Sequence, residues 1–182
     1  MTRSIPPKHP LRRLFDGLTQ KCFMEKIGLA DFELSAYVSG LLIEFLHVDD
    51  MYRLRNARGR RIYGVGEMLL EAEQWRQVPG VSRECEIRKH IGDYTLFMAG
   101  LFPESIERKT VIDLDYFVDY IKAGKESYRI AAEYDRCGVR TPLLRKLSQQ
   151  FEICTLGLNF VKEELEKLQN PAYRQMRDLL FE

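Results

Sequence analysis

The sequence predicts an all-α fold, a single irregular helical bundle over residues 10–182 preceded by an extended arm at 1–9. About five main helices are expected, with short accessory helices and a basic loop or small hairpin at 51–66. Three observations predict this. Apolar residues recur at helical spacing through most of the chain. The longest such run is Leu144, Leu147, Phe151, Cys154, Leu158, Val161, Leu165 and Leu168, and its alternating steps of three and four lay one stripe along a helix. Glycine and proline gather between the periodic segments, where helices end.

The composition bounds the function. A chain of 182 residues, 45% hydrophobic and 30% charged, is ordinary for a globular protein and long enough to bury a core. The net charge of +1 supplies no overall field toward nucleic acid or membrane, so such binding needs a local patch. No stretch approaches the roughly 20 apolar residues of a membrane span. Met1 to Leu11 lacks the apolar core of a secretory leader. Cys22, Cys85, Cys137 and Cys154 lie far apart without a Cys-x-x-Cys pair, which argues against zinc fingers and redox motifs. Free thiols in a cytoplasmic protein are the expectation.

The first helix is expected from Pro10 to Ile27, through Leu11, Leu14, Phe15, Leu18, Cys22 and Phe23, and Gly28 ends it. Asp31 caps a second, strongly apolar helix that continues to at least His47. The periodicity then fails. Arg58-Gly59 stands between Tyr52-Arg-Leu-Arg and Arg61-Ile-Tyr-Gly-Val, which suits a long loop or a hairpin. A third helix runs through Met68, Leu69, Leu70, Ala72 and Trp75 to Pro79-Gly80. Ser82 caps a fourth that ends near Leu101, before Pro103. Within it Gly92 and Gly100 permit close helix contacts, and a helical turn follows at 104–109. Asp113 opens a fifth, to about Arg136, closed by Gly138. Thr141-Pro142 starts the heptad helix and Asn170-Pro171 a last short one.

Two clusters carry chemistry. Arg53, Arg55, Arg58, Arg60 and Arg61 form a run without an acid among them, bracketed by Tyr52 and Tyr63. The guanidinium fork matches phosphate oxygens, tyrosine offers a stacking face, and Gly59 lets the loop bend. Nucleic acid, a nucleotide or an acidic protein surface suits this cluster. Acids such as Asp49, Asp50, Glu67, Glu71 and Glu73 lie near enough in sequence to pair with it. The second cluster is a metal set. Glu44 and His47 form a Glu-x-x-His pair, and Glu86, His90 and Asp93 share another sector of about 60° on the fourth helix. Two histidines with three carboxylates suit iron, manganese or zinc. A second Glu-x-x-His, which di-iron bundles use, is missing from the sequence.

Other features read as structure. Asp115, Asp119, Glu126 and Glu133, beside Lys122 and Arg129, make a self-paired exposed strip. Tyr116, Phe117, Tyr120, Tyr128 and Tyr134 make an aromatic helix best read as core. The pattern Gly64-x-Gly66 lacks a dinucleotide fingerprint, and no serine sits in a nucleophile elbow. Ile153, Leu156 and Phe160 widen the apolar surface of the heptad helix, and its flanking positions carry few charges, so packing within the bundle is expected over self-pairing. The leading functional expectation is a non-enzymatic binding or regulatory module that meets an anionic partner or ligand through its arginine loop. The alternatives are a di-iron-like helical enzyme and a structural subunit of a homodimer, which would cover Leu165, Leu168 or Leu179.

Overall fold

The computed structural model describes residues 5–76, 78, 83–109, 119–135 and 137–181, and among them the fold is all-α, with ten α-helices and no strand. In chain order these are α1 (Pro10–Lys21), α2 (Phe32–Glu44), α3 (Val48–Met51), α4 (Val65–Trp75), α5 (Arg83–Leu101), α6 (Pro103–Lys109), α7 (Tyr120–Ala131), α8 (Thr141–Gln149), α9 (Phe151–Lys167) and α10 (Pro171–Phe181). A π-helical turn, Cys22–Lys26, extends α1, so the expected first helix is one element with a widened end. The expectations at Pro79-Gly80, Ser82, Asp113, Asp115, Tyr116, Phe117 and Arg136 lie outside the described residues.

The centre of the molecule is α5. It packs chiefly against α7, and also against α9 and α4. From Ile87 to Leu101 every residue except Lys89 is buried, so the helix has no solvent face over that length. Two glycines make this packing close. A Cβ on Gly92 would stand 2.6 Å from the Tyr128 ring, and one on Gly100 would stand 2.5 Å from Leu158. Their expected role in close helix contacts is therefore met. Around α5 lie the pairs α1 with α2 and α7 with α8, while the π turn rests on α9. Phe23 of that turn occupies the space a side chain at Gly157 would need.

Local chemistry sets several boundaries. Asp31 Oδ1 accepts from the Leu34 N–H at 3.0 Å, so the expected cap of α2 is in place. Asn170 Oδ1 accepts from the Tyr173 N–H at 3.0 Å ahead of Pro171 and caps α10 in the same way. At α8 the cap falls one residue earlier than expected, on Arg140, because the Thr141 hydroxyl turns to the Tyr134 carbonyl at 3.5 Å. The fifth helix starts later and stops earlier than expected: Asp119, in extended geometry, caps it with Oδ1 accepting from the Lys122 N–H, and it ends at Ala131.

Several expectations are corrected. The heptad helix is two helices, because Gln150 leaves helical geometry at φ −109°, ψ 22°. Its stripe still packs inside the bundle: Leu144, Leu147, Phe151, Cys154, Leu158, Val161 and Leu165 are all buried, and Leu168, at the end of α9, is 56% exposed. Leu165 therefore needs no second chain to cover it. Ile153 and Leu156 are exposed, so the extra apolar width of α9 faces outward. Helix α2 stops at Glu44 instead of reaching His47. Finally, Cys85 and Cys137 are joined in a disulfide with Cα atoms 5.6 Å apart, while Cys22 and Cys154 are free and buried. The bond ties the first turn of α5 to the segment leading into α8.

Candidate functional site

Residues 53–63 form a short ribbon. Arg55 and Arg61 make an antiparallel bridge. The Ile62 N–H donates to the Leu54 carbonyl at 3.0 Å, and the Asn56 N–H to the Arg60 carbonyl at 2.9 Å. The Gly59 N–H closes the tip on the Asn56 carbonyl at 2.8 Å, and its φ of +76° explains a glycine there. Asn56 Oδ1 accepts from the N–H groups of both Arg58 and Arg60, at 3.0 and 3.1 Å. Leu54 and Ile62 are buried and act as the feet of the ribbon. Successive residues of an extended chain point to opposite faces, so Arg53, Arg55, Arg61 and Tyr63 share the outer one. The loop-or-hairpin alternative is thus answered by a minimal hairpin.

The arginines divide between two jobs. Arg53 pairs with Glu44 at 2.5 Å and Arg61 with Asp49 at 2.6 Å. The Asp49 hydrogen bond holds the Arg61 guanidinium above its ordinary pKa. Exposed pairs of this kind add little stability, and their effect here is to hold the ribbon to α2 and α3. Arg83, from the first turn of α5, donates to the Arg55 carbonyl at 3.0 Å and pairs with Glu86 at 3.5 Å. Arg55, Arg58 and Arg60 have no carboxylate partner among the described residues. Arg55 reaches only the Gly59 carbonyl, at 3.1 Å. Tyr63 is 57% exposed, with Tyr52 behind it at 5.1 Å between ring centroids. Of the nearby acids expected to neutralise the run, Asp49 does so, whereas Glu71 accepts from Trp75 and Glu73 pairs with Arg76 and Arg88.

The expected metal set does not assemble. Among the described residues no group of three or more His, Cys, Asp or Glu side chains is placed to hold a metal ion. The physical reason is the end of α2. Phe45 turns out of the helix into the core, against His90 and Phe97, and His47 becomes the extended residue before α3. Glu44 and His47 therefore no longer share a helix face. Glu44 is engaged by Arg53, and Glu86 is exposed beside Arg83. His90 Nε2 bonds the Met51 carbonyl at 2.9 Å. Burial, helped by the Arg53 charge, lowers the pKa of His90 from 6.5 to about 4. The ring is neutral at pH 7.

Asp93 belongs to a different arrangement. Its Oδ1 accepts from the hydroxyls of Tyr37 at 2.6 Å and Tyr128 at 2.7 Å, and its Oδ2 takes the Lys89 ammonium at 2.7 Å. Burial and the adjacent carboxylate push both phenols well above their ordinary pKa, so both remain donors. The Lys89 ammonium also lies 5.6 Å from the centre of the Tyr37 ring. A cavity of about 340 Å³ opens here between α2, α5 and the segment before α8, and Glu44, Lys89 and Asp93 line it. Asp93 already has three donors and is a satisfied buried carboxylate, not an open ligand. Lys89 escaped the sequence reading although its i, i+4 spacing to Asp93 is the signal for such a pair. Tyr37, Tyr128 and Arg83 left no comparable local signal, since each comes from a distant element.

On α7 the described part of the acidic strip is as expected: Arg129 pairs with Glu126 at 2.6 Å and with Glu133 at 2.7 Å, in solvent. No helix among the described residues is long and apolar enough to cross a membrane. No protein-family model matches the chain, and no curated protein or solved structure matches it, so the functional argument rests on the residues themselves.

Proposed function

We propose that this protein is a non-enzymatic helical binding module that docks an anionic partner on the arginine ribbon at 53–63. One observation carries the reading. Arg55, Arg58 and Arg60 stand together on an ordered ribbon with no carboxylate of their own, while Arg53 and Arg61 are occupied in holding that ribbon in place. Exposed cations gathered this way give a local positive field that a net charge of +1 does not supply.

The test is retention on a sulfated polysaccharide column over a salt gradient, comparing the wild type with the Arg58→Glu, Arg60→Glu double variant. Both positions are exposed and their side chains support nothing else, so the variant is expected to fold. The wild type should be retained and the variant should elute near the start of the gradient. Equal elution of the two proteins rejects the reading.

A further inference from the structure

We infer that the anionic partner is a single-stranded nucleic acid, with its phosphates along Arg55, Arg58 and Arg60 and a base on Tyr63. This rests on the ribbon reading above and specifies its ligand. The backbone of the tip narrows the choice. Single phosphates are commonly cradled by converging backbone N–H groups. Here the N–H groups of Arg58 and Arg60 are turned to the Asn56 side chain, and that of Gly59 to the Asn56 carbonyl. An anion can meet only side-chain forks.

Arg55 lies at the bridge with Arg61, and Arg58 and Arg60 lie on the turn that the Gly59 N–H closes on the Asn56 carbonyl. Several separate guanidinium groups suit a ligand with repeated charges better than one compact anion. The planar guanidinium is the better fork for phosphate oxygens, and all the cations on this ribbon are arginines.

Tyr63 chooses among polyanions. It shares the outer face with Arg55, the residue is more than half exposed, and Tyr52 supports its ring from within. An unpaired base stacks on such a ring, whereas polyphosphate and acidic peptides offer nothing flat to lie on it. Bases in a duplex are already stacked on one another and are withheld from it.

Fluorescence anisotropy on the full chain tests this with three labelled probes: a single-stranded RNA of about 12 nucleotides, the matched duplex, and inorganic polyphosphate. The single strand is expected to bind most tightly. Its log K should fall against log salt with a slope of about −2, from three phosphates at about −0.7 each. Tyr63→Ala should weaken the single strand about tenfold and leave polyphosphate unchanged, with Tyr63→Phe restoring the loss. Arg58→Glu, Arg60→Glu should abolish binding of both. If Tyr63→Ala has no effect on the single strand, or if duplex or polyphosphate binds as tightly, the nucleic-acid inference is overturned and the ribbon reading survives. If none of the probes binds and the column does not retain the protein, both fall.

Discussion

His90 shows what a single buried residue does to the pH response of the whole chain. Its ring is enclosed by Phe45 and Tyr94, and its Nδ1 has no hydrogen-bond partner among the described residues. The folded pKa of about 4 lies below the ordinary 6.5. Between those values the unfolded chain takes up a proton that the folded chain refuses. Stability is therefore complete above pH 6.5 and declines as pH falls toward 4, by on the order of 3 kcal/mol across the window. Carboxylates with lowered pKa values, such as Asp31 and Glu104, lose their contribution only below their ordinary values of 3.8 and 4.5. Thermal melts from pH 7 to pH 5 should fall for the wild type and stay flatter for His90→Gln. Parallel slopes would remove His90 as the cause.

At the scale of the element, glycine positions separate packing from propensity. Gly92 lets the Tyr128 ring lie against α5, which brings the Tyr128 hydroxyl to Asp93. Gly92→Ala forces that ring away and should cost about 1–3 kcal/mol, more if the hydrogen bond to Asp93 is lost. Gly40 has open space where its Cβ would stand, so Gly40→Ala in the middle of α2 should stabilise by up to about 1 kcal/mol. Urea unfolding of the two variants tests the contrast, and destabilisation by Gly40→Ala would refute it. Helix starts were legible where a side chain does the capping, as at Asp31 and Asn170, because that chemistry is local. The break at Gln150 was not legible. No glycine or proline marks it, and the heptad spacing runs through it undisturbed. There the bend comes from packing, with Phe151 set against Tyr128 and into the space beside Gly124. The same holds at Phe45, where a core aromatic ends α2 early and divides the expected Glu44 and His47 pair.

At the scale of the whole molecule, the charged and polar residues of α5 are the part least visible in its sequence. Glu84 and Arg88 lie on one side of α5 and His90 and Asp93 on the other, yet all four are buried because α4, α7 and α9 enclose the helix. Arg88 meets Glu73 and Glu84, and Tyr134 meets Glu84, each partner arriving from a separate element or from the same helix one turn away. Periodicity reports one face at a time and cannot show burial on every side. The Cys85–Cys137 bond was hidden for a similar reason, since 52 residues separate the pair. Closing a loop of that length should stabilise by about 4 kcal/mol in the chain-entropy account. Urea midpoints with and without a reducing agent measure it, with Cys85→Ser, Cys137→Ser as the reference. A midpoint that does not move on reduction would mean that the bond constrains nothing in the unfolded chain. The anchoring of the arginine ribbon has its own thermodynamic consequence. Leu54 and Ile62 hold its base and Asn56 its tip, so the conformational entropy of those residues is lost during folding and not on docking. A partner meets a surface already in its final shape, and loosening the feet would weaken its capture without removing one contact.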